Sequence, residues 1–530
     1  MEIRMDSQKG TVVNGIDPVL SEIQQRLMAR PAEWLKALQQ HPDCFVDLEK
    51  EIHRTFSQMA DGVVAGLLAQ ATADAAFAET AKKKVVPADP QRKMRGGERR
   101  PLRVRLYGGL LIFVMTLYCS PARRTGKKRG VEGSGLYPEL AVLGIQEGKS
   151  PALVREIGRL SALLPSYETV QQEFVERGVK MTVKEIHNIA QHAGESALAF
   201  RLRELEAYRA GVLAAADGRG KRFGAMIDGG RTKLRKTTRK QKGHGKAKTQ
   251  KRRFKTEWRE PKLLIVFEMD EQGRMKKGTK PIIDGTFEGP DAVMELLALR
   301  LHQVGASQAD VVAFRADGAP WIWDRLEWVR QRLGLAQEKV SAGLDWCHAV
   351  HHISLALEPV VEGDKRGRVF KKLRKWLKGG KWRAVVKELH GLLFDAETKD
   401  EAKVLTEIHY LENHGEAGRL DYAKFKRCGL PIGSGAIESV VRRVINLRMK
   451  GNSIFWKEEN AEAMLVLRGL VLSRRWKTEF AKISESLASD RRLDWKWAPP
   501  DMPAQLKAKL AIRPPTLQVQ STEASYATAA

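Results

Sequence analysis

Between residues 221 and 357, short apolar runs that stop at Asp-Gly or at a charged turn alternate with amphipathic stretches. That alternation limits the fold more than any other feature of the chain. KRFGAMIDGG (221–230) reads as a strand ending in Asp228 and two glycines. KLLIVFEMD (262–270) reads as a second strand running into a Gly-containing turn, and PIIDGTFEG (281–289) as a third. DAVMELLALRLHQVG (291–305) has helical spacing. Residues 310–334 read as strand, Asp-Gly turn and helix, and residues 339–357 as strand then helix. Hairpin strands followed by β-α-β-α order predict an α/β class with a mixed sheet.

The remaining segments group around this region. Residues 1–85 read as an N-terminal helical region, with Pro31 starting a second helix. Residues 86–149 combine a basic linker with a small strand-rich module. Residues 150–215 resemble a helix-turn-helix in pattern, with Thr182 capping the last helix, and an ordinary helical bundle fits that pattern equally. The sheet region is expected at 221–357, a basic helical insertion at 358–427, and the last part of the core at 428–490. The Pro- and Ala-rich tail, 497–530, is expected to be disordered.

Composition narrows the function classes. The 530 residues carry 92 Lys and Arg against 64 Asp and Glu, a net charge of +28, with a globular 43% hydrophobic content. A large folded chain this basic is expected to meet a polyanion. Four cysteines without a CxxC pair exclude a disulfide framework and speak against a Cys-rich zinc module, so no zinc is expected. The longest nearly apolar stretch, Leu106 to Cys119, falls short of the ~20 residues of a membrane helix and suits buried strands. No membrane partner is therefore expected, and the location expected is cytoplasmic.

Three acidic residues stand out by context. Asp228 and Asp317 each end an apolar strand, and Glu438 lies one turn into a helix that follows Gly433-Ser434-Gly435. An ionised carboxylate at such a place is costly without a counterpart. Strand ends converge on one sheet edge, where two aspartates and a glutamate could ligate Mg²⁺ for phosphodiester chemistry. The competing reading of each Asp-Gly is a plain turn, and of a lone helical Glu a solvated residue. In DWCHAVHH (345–352), neighbouring Cys-His and His-His side chains diverge on a helix. A polar strand-to-helix junction therefore fits better than a zinc site. The tract from Arg231 to Lys255 holds thirteen Lys or Arg and no acid. Such a run is commonly a solvated loop. Emerging directly after Asp228, with Arg231, Lys233, Arg235 and Lys236 leading, it suits phosphate binding.

Four blocks carry a resemblance: MIDGGR (226–231), WREPKLL (258–264), RADGAPWIWD with LDWCHA (315–324 and 344–349), and LPIGSGAIES…RR…LRMKG…FW…ENAEAMLVLR (430–468). Together they resemble the Asp-Asp-Glu transposases of bacterial insertion sequences, most closely the Kra-type group. The resemblance spans about 225–470. It implies an RNase H-like core with an all-helical insertion and a helical DNA-binding region upstream. It implies Asp228, Asp317 and Glu438 as catalytic Mg²⁺ ligands, with Mn²⁺ substituting. Asp345 and His348 match the family's Asp-x-x-His motif, an accessory to the site. Arg442 and Arg443 would meet phosphates, with Arg448 and Lys450 of the same block. Trp321, Trp323 and Trp346 would either stack on an unpaired base or pack in the core. The zinc-ribbon-like cysteine pattern of relatives is reduced here to Cys119. The implied activity is cleavage and transfer of double-stranded DNA at element ends by a homo-oligomer assembled on DNA. The rival readings are an RNase H-fold nuclease that does not join strands, and a non-catalytic helix-turn-helix DNA-binding protein.

Overall fold

The computed structural model describes residues 11–12, 16–84, 94–95, 97–121, 137–145, 148–237, 254–396 and 398–490. The tail expected to be disordered and the greater part of the basic tract, 238–253, lie outside the described residues. The chain divides into two compact units, 1–200 with 476–508, and 201–475 with 509–530.

In the first unit a helix runs unbroken from Ile16 to Gln40, so Pro31 sits inside it rather than at a new start. A second helix, Phe45–Ala73, packs on the hairpin Arg99–Arg105 and Leu111–Leu117. The apolar run at 106–119 thus supplies a buried strand, as its β-branched and aromatic content predicts. Asp61 of that helix is buried and accepts from the backbone N–H groups of Gly108 (3.0 Å) and Leu110 (2.9 Å), tying the hairpin turn to the helix.

Further along, Ser150 and Ser166 cap helices Pro151–Leu163 and Tyr167–Glu176. Thr182 and Glu185 form a reciprocal capping box, Glu185 N–H to Thr182 Oγ1 (3.2 Å) and Thr182 N–H to Glu185 Oε2 (2.9 Å). The helix they start, Val183–Arg209, is 27 residues long, and the unit boundary falls within it. The helix Trp476–Asp490 departs from expectation. It belongs to the first unit, not to the core, because the Trp476 indole donates to the Arg155 carbonyl (2.9 Å).

Elements of the second unit are numbered here from its own start. Strands β1 (Arg222–Gly229), β2 (Thr232–Thr237), β3 (Phe254–Arg259), β4 (Lys262–Glu268), β5 (Ile282–Thr286), β6 (Val311–Ala316) and β7 (Val340–Leu344) alternate with nine helices among the described residues. The main sheet has the order β5-β4-β1-β6-β7. β4 is antiparallel to both its neighbours, and β1, β6 and β7 run parallel. Its strands read as unbroken apolar runs because both faces are covered. The mixed α/β sheet is therefore as expected.

Helix α1 (Pro290–Gln303) packs on β4 and β5 and is buried almost all round. Its two buried charges are paired: Glu295 with Arg209, and Arg300 with Asp284 and Glu204. Helices α2 (Pro320–Arg332) and α3 (Trp346–Leu357) follow β6 and β7. The insertion consists of α4 (Gly363–Lys378), α5 (Trp382–Phe394), α6 (Glu401–Glu416) and α7 (Tyr422–Arg427). Then come α8 (Gly435–Val441), a π-helical segment at Arg442–Asn446, and α9 (Glu458–Leu472). The π segment frees carbonyls from the α pattern. Arg468 of α9, 2% exposed, donates Nε to the Val444 carbonyl (2.8 Å) and Nη2 to that of Arg443.

Candidate active site

Three aspartates stand side by side at one edge of the sheet. Ile227 of β1 is in register with Ala316 of β6, and Ala316 with Leu344 of β7. The next residue in each case is acidic: Asp228, Asp317 and Asp345. Neighbouring strands lie about 4.8 Å apart, so consecutive strand ends deliver three carboxyl groups to one edge. Glu438 comes from α8, which packs on β1 and β4.

Asp345 is only 1% exposed, and its oxygens are committed. It accepts from the His348 backbone N–H (2.9 Å), the His348 ring Nδ1 (2.9 Å) and the Ser434 N–H (2.6 Å). Burial alone would raise its pKa. The bonds from His348 and Ser434 prevail and hold it at about 2. Asp345 therefore joins the start of α3 to the Gly433-Ser434 turn that launches Glu438. Its hydrogen bond is the main cause of a raised His348 pKa, and the charges of Asp345, Asp317 and Asp228 add to it.

A second brace comes from Arg315, which is fully buried one residue before the end of β6. Its guanidinium donates to the carbonyls of Phe314 and Ser341 (2.7 Å each) and of Pro431, and lies 4.3 Å above the Phe425 ring. Burial lowers its pKa to about 9, which leaves it charged at neutral pH. Arg222 holds the carbonyls of Cys428 and Gly429. Gly429 is left-handed (φ 59°), and a Cβ there would come within 1.8 Å of the Glu271 carbonyl oxygen. The segment before α8 is thereby fixed at both ends.

The remaining acids are not committed. Asp228 accepts from the Gly229 N–H (2.6 Å), and Asp317 from the Ala319 N–H (3.1 Å). Among the described residues, no Lys or Arg forms an ion pair with Asp228, Asp317 or Glu438, in a chain of net charge +28. Burial pushes the Asp228 pKa up from 3.8 to about 6, and the charges of Asp317 and Glu438 push the same way. That interaction brings Asp228, Asp317, Glu438 and His348 into one electrostatic neighbourhood. No three His, Cys, Asp or Glu side chains among the described residues are already close enough to grip an ion. The acids form an open, all-oxygen set whose mutual repulsion a divalent cation would relieve. Such a hard donor set fits Mg²⁺.

The raised pKa has a consequence for stability. An aspartate favoured in its protonated form by the fold contributes stability below pH 3.8, and loses that contribution as pH rises through about 6. Asp228→Asn is therefore expected to stabilise the metal-free protein at pH 8, by about 1–2 kcal/mol after allowing for partial exposure. The gain should vanish near pH 4. Thermal melts in chelator at the two pH values check this, and an unchanged midpoint at pH 8 would remove Asp228 from a desolvated cluster.

The insertion contributes groups that sequence reasoning missed. Tyr410 of α6 approaches Gly318, where a Cβ would come 2.0 Å from its hydroxyl oxygen, so only glycine fits beside Asp317. Its ring stacks on His352 at 3.5 Å, and His352 hydrogen-bonds Glu407. Burial raises the Tyr410 pKa, helped by the charges of Asp317 and Asp345. His414 is pushed down to about 4 by burial and by Arg419. The only sequence signal for this group is an excess of His and Tyr, which does not reveal contact with a strand end.

Other predicted residues divide. Arg231, Arg235, Lys236, Arg442 and Lys450 are exposed, and Lys233 and Arg443 partly so. Lys236 pairs with Glu257 (2.5 Å). Arg448 is a correction. It is 5% exposed, over the Trp456 ring at 5.1 Å, so it braces the fold and does not face phosphates. Trp323 is buried and donates its indole N–H to the Asp317 carbonyl (3.0 Å), which is the core-packing alternative. Trp346 meets Tyr422 edge-on at 5.0 Å, and Trp321 is partly open beneath Lys262. The basic tract does not begin as a loop: residues 232–237 form β2, paired antiparallel with β3. Cys347 is exposed and free.

No helix among the described residues is long and apolar enough to cross a membrane. A scan with models of protein families finds no match to this chain, and a search of curated proteins finds none.

Proposed function

We propose that this chain is a DNA transposase of the insertion-sequence type, with an RNase H-like core and with Asp228, Asp317 and Glu438 as its catalytic carboxylates. The observation that carries the reading is the trio itself: three acids with no Lys or Arg partner among the described residues, gathered at one sheet edge of a strongly basic chain. Nothing in fold stability explains leaving them unpaired when cations are so abundant. The sheet order, with a single reversed strand next to the central β1, supports the RNase H-like assignment.

Asp228, Asp317 and Glu438 would hold Mg²⁺, or Mn²⁺ in its place; when bound, the metal supplies charge neutralisation and an acidified water for in-line displacement at phosphorus. The chain's own part is positioning and charge. The Asp345–Ser434–His348 brace fixes the approach of Glu438. Exposed Arg231, Arg442 and Lys450 neutralise the phosphates flanking the reacting one. In the first step the water oxygen bonds to phosphorus, the bond from phosphorus to the 3′ oxygen breaks, and that oxygen leaves as a hydroxyl. In the second step this hydroxyl attacks a target phosphate and displaces the target's own 3′ oxygen. Bringing two element ends together calls for a homo-oligomer on double-stranded DNA, working at the bacterial nucleoid.

The test uses DNA flanking the protein's own gene. With Mg²⁺, the purified protein should release discrete 3′ ends at a pair of inverted sequences and join them to a plasmid target. Cuts without joining would make it a nuclease. Binding without cuts, in Mn²⁺ as in Mg²⁺, would contradict the catalytic reading.

A further inference from the structure

The β2–β3 hairpin has two dissimilar faces. Register places Lys233 opposite Trp258, Arg235 opposite Thr256, and Thr237 opposite Phe254, so these residues share one face. The other face carries Leu234, 1% exposed, together with Lys236, Glu257 and Arg259. The only acid of the paired strands is thus on the Leu234 face, where it pairs with Lys236.

The acid-free face exposes large rings. Trp258 is 50% exposed and Phe254 41%, and Phe455, exposed to 39%, lies 5.7 Å from Phe254. Each strand ring lies under a cation: Lys233 Nζ is 4.9 Å and Lys450 Nζ 5.9 Å from the Trp258 centroid, and the Arg235 guanidinium is 4.8 Å from that of Phe254. The mount is rigid. Trp456 exchanges backbone hydrogen bonds with Lys233 (3.2 Å) and Arg235 (2.7 Å), and the Thr232 hydroxyl donates to the Met449 carbonyl (2.6 Å). The hairpin also starts four residues after Asp228.

From this we propose that the Lys233–Arg235–Phe254–Trp258–Phe455–Lys450 face is a stacking platform for single-stranded DNA. Duplex DNA buries its base faces and offers a side chain only phosphates and base edges. An unpaired strand presents a π face and a phosphate with every nucleotide, which is the alternation of ring and cation seen here. Aromatic groups kept in water among cations, with no acid on that face, are complementary to such a strand in charge and shape. The proposal rests on the DNA-processing reading above and adds where an unpaired strand lies beside the acidic edge.

The experiment is fluorescence anisotropy of the full chain with labelled dT20, rU20 and a 20-base-pair duplex. Trp258→Ala and Phe455→Ala should each weaken dT20 binding about tenfold and change duplex binding less than twofold. Trp258→Phe keeps a ring and should keep most of the affinity, which separates stacking from misfolding. Lys233→Gln should weaken both DNA ligands. Equal losses on dT20 and duplex for Trp258→Ala, or no loss on dT20, would overturn the platform while leaving DNA binding intact. Tighter binding of rU20 than of dT20 would overturn the DNA assignment. Failure of the wild-type protein to bind either DNA would overturn the proposed function together with the platform.

Discussion

Glu438→Gln is expected to abolish Mg²⁺-dependent strand cleavage while leaving DNA affinity within a few-fold of wild type. Charge stabilisation by metal ions is worth several kcal/mol in the transition state. Losing about 4 kcal/mol of it corresponds to roughly a 10³-fold slower step. Gln keeps the size and one acceptor oxygen of Glu but not its charge. Glu438 is exposed on α8 and carries no ion pair among the described residues, so the fold should not suffer. Asp228→Asn and Asp317→Asn should behave alike if the proposed trio acts as one unit, since single losses from such a unit already remove most of the effect. Single-turnover cleavage of a defined element end, read beside equilibrium binding, checks this. A variant that keeps full cleavage would show that its residue does not belong to the site.

Asp284→Ala should produce the largest stability loss. Asp284 is 5% exposed and sits between two buried guanidiniums. Arg201 Nη1 donates to Oδ1 (2.9 Å), and Arg300 Nε donates to Oδ2 (2.9 Å). Arg201 continues to Glu462 (2.7 Å), whose other oxygen accepts from the Phe287 N–H (2.8 Å), and Arg300 continues to Glu204 (2.6 Å). Removing the shared carboxylate leaves each buried guanidinium with only its second acid, Glu462 or Glu204, and breaks the network at its centre, at a cost of about 3–5 kcal/mol. In a unit of this size that is a fall of roughly 6–15 °C in melting temperature. Although burial opposes it, the two arginines hold the Asp284 pKa below 3.8. The network's contribution is therefore lost only as pH falls below that value, and the deficit of the variant should persist from pH 5 to 8. Urea denaturation of both proteins at pH 7 measures it. A loss under 1 kcal/mol would mean that the network is not formed in solution.

Asp284 also shows where sequence reading stops. Asp228, Asp284 and Asp317 each precede glycine after an apolar run. Composition and periodicity treat them alike, and the three strands they end or interrupt were legible from those runs. What separates them is partners. Those of Asp284 lie 83 and 16 residues away, at Arg201 and Arg300. Asp228 and Asp317 have none of that kind among the described residues. The stretch around Asp345 and His348 was legible as a polar strand-to-helix junction, because its neighbouring Cys-His and His-His side chains diverge on a helix; that Asp345 caps that helix came only with the structure. The link from Asp345 to Ser434, 89 residues on, was not. The π segment after Glu438 has no residue signature either, since its displaced carbonyls are met by Arg468 from another helix. Arg448 was misread for the same reason: a cation in a basic block reads as exposed until the Trp456 ring covers it. Local spacing locates strands, caps and turns, whereas pairing across the sheet decides which acids are left open.

The open acids are expected to bind metal. Mn²⁺ titrated into the full chain and followed by electron paramagnetic resonance should show saturable binding. That binding should be lost in Asp228→Asn and in Asp317→Asn, and should be displaced by excess Mg²⁺. Absence of saturable binding, or binding indifferent to both substitutions, would contradict a metal-dependent site at this sheet edge.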